Sequence, residues 1–165
     1  MTNSANSTST ISSLHGNFVV INDTGVVITG EAGCGKSETT LQLLDRGHQF
    51  VADDLLEIAT YNNELWGYQP SSQNGWLYIH NIGFCHCDTI NPTKKSWLPN
   101  YRIDFLVELK SQYCAETKIN PWIDKKINNH IVKQATIHHC LQRNISLLIE
   151  TLVKGFIDTK IAYNA

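Results

Sequence analysis

Short apolar runs alternate with amphipathic stretches along most of the chain. Two runs near the N-terminus, 18–21 and 26–29, are rich in Val and Ile and flank Asn22-Asp23-Thr24-Gly25, a combination typical of a turn. We therefore predict two strands joined as an antiparallel hairpin. Further strands are predicted at 48–52, 76–87 and 105–109. Strands that alternate with helical segments indicate an α/β, or mixed α+β, layered domain.

Two segments have the spacing of amphipathic helices. The first runs from Lys36 to Arg46, with Leu41 and Leu44 on one face and Gly47 where a glycine commonly ends a helix. The second lies near the C-terminus and has one apolar stripe. The residues of that stripe are Leu141, Ile145, Leu148, Ile149, Leu152 and Phe156. The stripe predicts packing against the sheet or, alternatively, a contact between subunits.

Polar segments give weaker predictions. Residues 1–13 are mostly Ser, Thr and Asn, so they bury too little apolar surface to offset the entropy of ordering, and we expect a disordered tail. Residues 113–133 are polar and irregular, which is typical of a loop or a surface helix. Residues 14–165 are predicted to form a single domain, because 165 residues are too few for a second full one.

Charge and composition exclude several classes of function. Only 17% of the residues are charged and the net charge is −2, so we expect no nucleic-acid partner. No apolar run is long enough for a membrane span and no signal peptide is recognisable, which predicts a cytoplasmic protein without a membrane partner. The five cysteines form no dense framework and are predicted to be reduced.

Some cysteines and histidines could in principle bind zinc. They are His80, Cys85, His86 and Cys87, with His138, His139 and Cys140 downstream. The spacing argues against such a site, because the thiols of Cys-x-Cys point to opposite faces of a strand and no paired C-x₂-C motif is present.

One glycine-rich segment fits a phosphate-binding motif without a mismatch. Gly30-Glu31-Ala32-Gly33-Cys34-Gly35-Lys36-Ser37 matches G-x-x-x-x-G-K-[ST], directly after a predicted strand and before a predicted helix. Such a loop binds phosphates through inward-pointing backbone N–H groups and the positive end of the helix dipole. Lys36 would reach the β and γ phosphates of ATP, and Ser37 would bind Mg²⁺.

Two adjacent carboxylates end the next predicted strand. Asp53 and Asp54 could face the phosphate site from a neighbouring strand, where one would accept the proton of an incoming hydroxyl and the other would support Mg²⁺. A strand end at the surface is the alternative explanation, and the upstream phosphate motif favours the site. His15, taken alone, does not indicate a function.

Together these motifs resemble the signature of the bacterial HPr serine kinase/phosphorylases. The matching stretches are His15-Gly16, 25–31 (GVVITGE), 35–39 (GKSET), Arg46-Gly47-His48 and 51–54 (VADD). The similarity resumes at Arg143-Asn144 and continues through 148–150 to 163–165. It therefore frames nearly the whole chain, and the middle is poorly matched.

The resemblance implies an ATP- and Mg²⁺-dependent serine kinase that acts on HPr, a small phosphocarrier protein, and that can also remove the phosphate by phosphorolysis. It implies Asp54 as the proton acceptor, His15 and Lys36 as further active-site residues, and Ser37 as a Mg²⁺ ligand supported by Asp53. The implied fold is a P-loop kinase domain related to phosphoenolpyruvate carboxykinase, with a mixed sheet and flanking helices. Family members assemble as hexamers, and the chain corresponds to their catalytic domain without the N-terminal domain that many carry.

The middle of the chain departs from the family pattern. The family has an acidic metal ligand in a motif of the form E-[IL]-R-G-L-G, where this chain has 78–83 (YIHNIG). Neither Tyr78 nor His80 suits Mg²⁺, which prefers carboxylate oxygen. The family's active-site arginine has no clear counterpart, since 116–118 (ETK) occupies the expected region.

Two alternatives to an HPr kinase stay open. The divergent middle could recognise a different protein or a small-molecule acceptor, because a fold does not determine its substrate. The missing acidic ligand could instead reflect a non-catalytic ATP-binding regulatory protein.

Overall fold

The computed structural model describes residues 12–92, 95–112, 121–138 and 144–163. Within these ranges the chain forms twelve strands and three helices. The strands are β1 (Ser12–His15), β2 (Asn17–Ile21), β3 (Thr24–Gly30), β4 (Gln49–Ala52), β5 (Leu55–Tyr61), β6 (Glu64–Tyr68), β7 (Trp76–Ile79), β8 (Gly83–His86), β9 (Asn100–Arg102), β10 (Phe105–Lys110), β11 (Trp122–Ile127) and β12 (His130–His138). The helices are α1 (Lys36–Asp45), α2 (Cys87–Ile90) and α3 (Ile145–Tyr163).

A six-stranded mixed sheet, in the order β11-β12-β10-β3-β2-β4, forms the centre of the fold. Strand β2 pairs antiparallel with both β3 and β4, so β3 and β4 run in the same direction. Their carboxyl ends therefore lie at the same edge of the sheet, separated by β2. A four-stranded antiparallel sheet (β1-β5-β6-β9) and the β7–β8 hairpin complete the strand pairing of the described ranges.

The hydrophobic core lies on both faces of the six-stranded sheet, because successive side chains of a strand point to opposite faces. Along β2, Val19 and Ile21 pack with residues of α1 and α3, whereas Phe18 packs with residues of the four-stranded sheet. Among the helices of the described ranges, none is long and apolar enough to cross a membrane.

Most of the predicted elements are present. The first hairpin forms, and its turn residues Asn22 and Asp23 have φ values of 48° and 59°, which suit a tight two-residue turn. Helix α1 ends as expected, with Gly47 at φ 90° donating a hydrogen bond to the Leu44 carbonyl. Helix α3 packs against the sheet through the buried side chains of Ile149 and Val153. The mixed sheet with flanking helices is thus confirmed.

Two predictions about polar segments need correction, and part of each segment lies outside the described ranges. Residues 121–133, predicted to be irregular, contain β11 and the start of β12; β11 is an edge strand with a largely exposed polar face, so its apolar pattern is weak. Ser12 and Ser13, assigned to the disordered tail, pair with β5. The rest of that tail, residues 1–11, lies outside the described residues. The β5–β6 hairpin was not predicted at all.

Candidate active site

The glycine-rich segment connects β3 to α1 and forms the phosphate-binding loop (residues 30–37) in the predicted context. Gly30, Gly33 and Gly35 have φ values of 142°, 77° and 91°, which residues other than glycine rarely adopt. A Cβ atom on Gly30 would also lie 2.4 Å from the Leu109 carbonyl oxygen. Glycine is therefore required here by both backbone conformation and close packing.

Within the loop, Lys36 contacts main-chain oxygens. Its Nζ donates hydrogen bonds of 3.0 Å to each of the Gly30 and Glu31 carbonyl oxygens. The ammonium group thus lies over the loop, where a nucleotide phosphate could replace the carbonyls as its partner. Burial raises the pKa of the neighbouring Cys34 thiol, so this cysteine is expected to stay protonated.

The carboxylate of Asp53 is buried next to the phosphate-binding loop. Its Oδ2 accepts a hydrogen bond of 2.9 Å from the Tyr78 backbone N–H. Burial raises the pKa of Asp53; the Tyr78 amide lowers it, Asp54 raises it, and the nearby Asn17 and Ser37 side chains lower it. Oδ1 is buried without a hydrogen bond to any described residue.

This arrangement fits a divalent cation. A buried carboxylate oxygen without a partner, close to a serine hydroxyl, provides the hard oxygen ligands that Mg²⁺ prefers. Ser37 and Asp53 are the residues that would hold it. In the described ranges, by contrast, no three His, Cys, Asp or Glu side chains are grouped to bind a metal, and His139 and Cys140 lie outside those ranges.

Asp54 lies in a tight turn directly after β4. Its φ is 60°, a strained value for a residue other than glycine. Three hydrogen bonds hold the turn: Asp54 N–H to Asn17 Oδ1 (3.2 Å), Gly16 N–H to the Asp54 carbonyl (3.0 Å), and Leu55 N–H to the Asp53 carbonyl (2.7 Å). Such strain persists only where the surroundings enforce it and is common at active sites, so the exposed Asp54 carboxylate is a candidate functional group.

Gln73 holds the same turn from the other side. Its side-chain amide donates to the Asp53 carbonyl at 2.6 Å, and its Oε1 accepts from the Asp53 N–H at 3.0 Å. The side chain therefore pairs with the main chain of Asp53 as a neighbouring strand would. No local sequence signal distinguishes Gln73, because the contact joins residues twenty positions apart in a poorly patterned loop.

A cleft of about 570 Å³ opens beside the acidic turn (Asp53–Asp54). The residues lining it are Asp53, Asp54, Ser72, Gln73, Trp76 and Phe84. Trp76 and Phe84 lie on the β7–β8 hairpin and are 46% and 72% exposed, so one wall of the cleft is aromatic and accessible. Asp53 and Asp54 also line the cleft, which can thus accept a group with an apolar surface next to a reacting hydroxyl.

Some of the remaining predicted site residues lie near the acidic turn and others do not. His15 is exposed at the end of β1, opposite Leu55, and thus borders the acidic turn. Tyr78 contacts Asp53 through its backbone, and its ring packs on Phe84, so its side chain supplies no metal ligand in place of the family's acid. His80 is exposed next to the hairpin turn. Residues 116–118 and Arg143 lie outside the described residues.

Comparison with known proteins gives one consistent result. The family model described as the HPr Serine kinase C-terminal domain matches residues 6–165. An HPr kinase/phosphorylase of Shouchella clausii is 34% identical over 94% of this chain and 51% of its own length, and one of Limosilactobacillus reuteri is 30% identical over 93% and 49%. The chain thus spans about half the length of these curated relatives.

A solved structure agrees with the sequence comparisons. The Hpr(Ser) kinase/phosphatase from Coxiella burnetii superimposes with a TM-score of 0.85 at 34% sequence identity, covering 93% of this chain and 94% of that one. The structural similarity therefore extends over nearly the whole length of both chains.

Proposed function

We propose that this chain, which belongs to the family of the HPr serine kinase C-terminal domain, transfers a phosphoryl group from ATP to a serine of HPr or an HPr-like phosphocarrier protein. Its relatives carry the name HPr kinase/phosphorylase, and the solved neighbour is called an Hpr(Ser) kinase/phosphatase. The site of this chain supplies independent support for the same chemistry.

One observation carries the proposal. The phosphate-binding loop and the acidic turn end two strands that run in the same direction, so they meet at one edge of the sheet with a cleft beside them. A carboxylate in a strained turn at such a cleft is suited to accept a proton from a hydroxyl that attacks a bound phosphate.

Each residue has a distinct role in this mechanism. The amides of the phosphate-binding loop and Lys36 bind the ATP phosphates and neutralise their charge. Asp54 takes the proton of the serine hydroxyl while the serine oxygen forms a bond to the γ phosphorus. The bond from that phosphorus to the β–γ bridging oxygen breaks, and ADP leaves. Mg²⁺, held by Ser37 and Asp53, would add positive charge at the phosphates. His15 borders Asp54 and is proposed as a further active-site residue.

Reversal uses the same groups. In the phosphorylase direction Asp54 would return its proton to the serine oxygen as the phosphoryl group passes to inorganic phosphate, giving pyrophosphate. Assembly as a homo-oligomer, with a hexamer implied by the resemblance, and a cytoplasmic location stay predictions.

The direct test is incubation of the protein with ATP, Mg²⁺ and an HPr-type protein, followed by intact-mass measurement of the carrier. We expect a mass increase of one phosphate, blocked by replacing the acceptor serine with alanine. Addition of inorganic phosphate should then reverse the change and release pyrophosphate. A carrier whose mass is unchanged while ATP binds normally would contradict the proposal.

The Tyr78 position favours one alternative. Because the side chain at this point of β7 cannot ligate Mg²⁺ as an acid would, a non-catalytic ATP-binding regulatory protein is the second candidate. Tight binding of Mg·ATP without turnover on any protein or small-molecule acceptor would support it.

A further inference from the structure

A buried carboxamide lies between the two halves of the candidate site. Asn17 is 1% exposed at the start of β2, the strand that separates β3 from β4. The next four residues of β2 are apolar and buried, so a polar side chain at this point is an exception. Burying a carboxamide costs free energy unless it is hydrogen bonded, and the partners of Asn17 therefore indicate why it is tolerated.

Those partners belong to the two functional segments. Asn17 Nδ2 donates to Thr40 Oγ1 at 3.0 Å, and Thr40 Oγ1 donates to the Lys36 carbonyl oxygen at 2.9 Å. At its other end, Asn17 Oδ1 accepts from the Asp54 N–H at 3.2 Å. One chain of hydrogen bonds thus joins the first turn of α1, where the phosphate-binding loop ends, to the acidic turn.

The chain of hydrogen bonds has only one consistent direction. The Asp54 N–H can only donate and the Lys36 carbonyl can only accept, so Asn17 must present its oxygen to Asp54 and its amide N–H to Thr40. A carboxylate at position 17 could not donate to Thr40, and an apolar side chain could make neither bond. Asparagine therefore fits this position in its chemistry as well as its size.

We propose that Asn17 is a positioning residue for phosphoryl transfer, which holds the strained turn at Asp54 in a set position relative to Lys36 and the phosphate-binding loop. The inference rests on the proposed function and deepens it. Asn17 lies behind the turn and acts on the reaction through the residues that it holds, chiefly Asp54. Its loss should lower kcat, because proton transfer depends on the placement of Asp54, and should leave nucleotide binding nearly unchanged.

The experiment compares Asn17→Leu, Thr40→Val and Thr40→Ser with the wild type. We expect kcat for transfer to the carrier to fall roughly 10²-fold in Asn17→Leu and roughly 10-fold in Thr40→Val, the order of effect for a misplaced catalytic group. Thr40→Ser retains the bridging hydroxyl and should restore kcat to near the wild-type value. The KM for ATP should change little in all three variants.

A merely structural role for Asn17 predicts a different result. The melting temperature and the folded fraction would then fall while kcat per folded molecule stayed unchanged, and that outcome would overturn the inference. Thr40→Val keeps the size of the side chain, so it decides the matter if Asn17→Leu fails to fold.

A second readout separates this inference from the proposed function. If the wild type transfers no phosphate to the carrier, the proposed function fails, and hydrogen exchange of the Asp54 amide then decides the role of Asn17. Exchange should be at least roughly 10-fold faster in Asn17→Leu than in the wild type or Thr40→Ser, because the amide loses its acceptor. Equal exchange rates would refute the positioning role.

Discussion

The phosphate-binding loop holds its shape through its own backbone, whereas the acidic turn is held by side chains from distant parts of the chain. The loop depends on glycine conformations and on hydrogen bonds within the segment 30–40. The acidic turn depends on Asn17 from β2, on Gln73 from a loop, and on the Tyr78 amide of the β7–β8 hairpin.

This difference has a functional meaning. ATP presents the same phosphates to every P-loop enzyme, so a locally determined loop is sufficient to bind it. The acceptor differs between enzymes, and two of the groups that hold the acidic turn, Gln73 and the Tyr78 amide, come from the divergent middle of the chain. We therefore expect substitutions in the loop to affect nucleotide binding and substitutions around the turn to affect transfer.

The largest expected effects come from Lys36→Ala and Asp54→Asn, which test the phosphate-binding loop and the acidic turn separately. Lys36→Ala should weaken nucleotide binding and lower transfer on the order of 10³-fold, because the ammonium group that neutralises the transferred phosphate is lost. Asp54→Asn should lower transfer by about 10²–10⁴-fold, the usual contribution of a general base, with nucleotide affinity retained. Calorimetric titration with an ATP analogue and a radiolabelled transfer assay measure the two quantities. Transfer that survives both changes would refute these role assignments.

A matched glycine pair separates the effect of backbone conformation in the loop from the effect of packing against β10. Gly33→Ala should cost about 1–2 kcal/mol from its unfavourable φ alone, since a Cβ there would meet nothing within 4 Å. Gly30→Ala should cost about 1–3 kcal/mol more, because its Cβ would also clash with the Leu109 carbonyl. Urea unfolding measures both, and equal losses would contradict the packing of β3 against β10 at this point.

Gln73→Leu tests whether the acidic turn is held from outside. The change keeps most of the side-chain volume but removes both hydrogen bonds to Asp53, and we expect transfer to fall by roughly 10-fold or more as the turn loses its orientation. Nucleotide affinity should be unaffected. Steady-state kinetics with varied ATP and varied carrier show whether the loss lies in kcat. Wild-type kcat in Gln73→Leu would show that the turn needs no such support.

The smallest effect concerns stability in the absence of metal. Burial raises the pKa of Asp53 above its value in the unfolded chain, so the folded protein retains the proton to higher pH. Stability from this group is therefore present below the unfolded pKa and is lost as the pH rises through the folded pKa. At neutral pH, which lies above the unfolded pKa, burial of Asp53 therefore destabilises the metal-free protein.

Asp53→Asn should consequently raise the melting temperature of the metal-free protein at pH 7 by roughly 2–4 °C, while it weakens the response to Mg²⁺. Thermal unfolding with and without Mg²⁺ gives the comparison. Glu57→Gln serves as the control, because that carboxylate is exposed on β5 and should leave the melting temperature nearly unchanged. A metal-free Asp53→Asn protein less stable than the wild type would be inconsistent with this account.

The same contrast explains what the sequence could predict. The loop and the strand before it follow from a local pattern of glycines and apolar residues, so both were predicted, although β3 extends beyond the predicted 26–29 to Thr24–Gly30. The approach of Asp53 to Ser37 was predicted in outline, because both follow strands of one sheet. In the structure β2 intervenes between those strands, which the sequence pattern does not reveal.

Other features depend on contacts between distant residues and had no local signal. Asn17 precedes an apolar run and is indistinguishable from a residue that begins a strand. Gln73 lies in a segment of Ser, Asn and Gly, and only the folded chain brings it to Asp53. Strand β5 has apolar residues on both faces, such as exposed Leu55 and buried Leu56, and β11 has several exposed polar residues, so the hydrophobic alternation of both strands is too weak to identify them.

The central claim is that the phosphate-binding loop and the acidic turn form one site, and a crystal structure with Mg²⁺ and a non-hydrolysable ATP analogue tests it most directly. We predict that the β and γ phosphates are surrounded by the amides of residues 30–37, with Mg²⁺ bound beside Ser37 and Asp53. An empty loop, or a metal bound away from both of these side chains, would contradict the account.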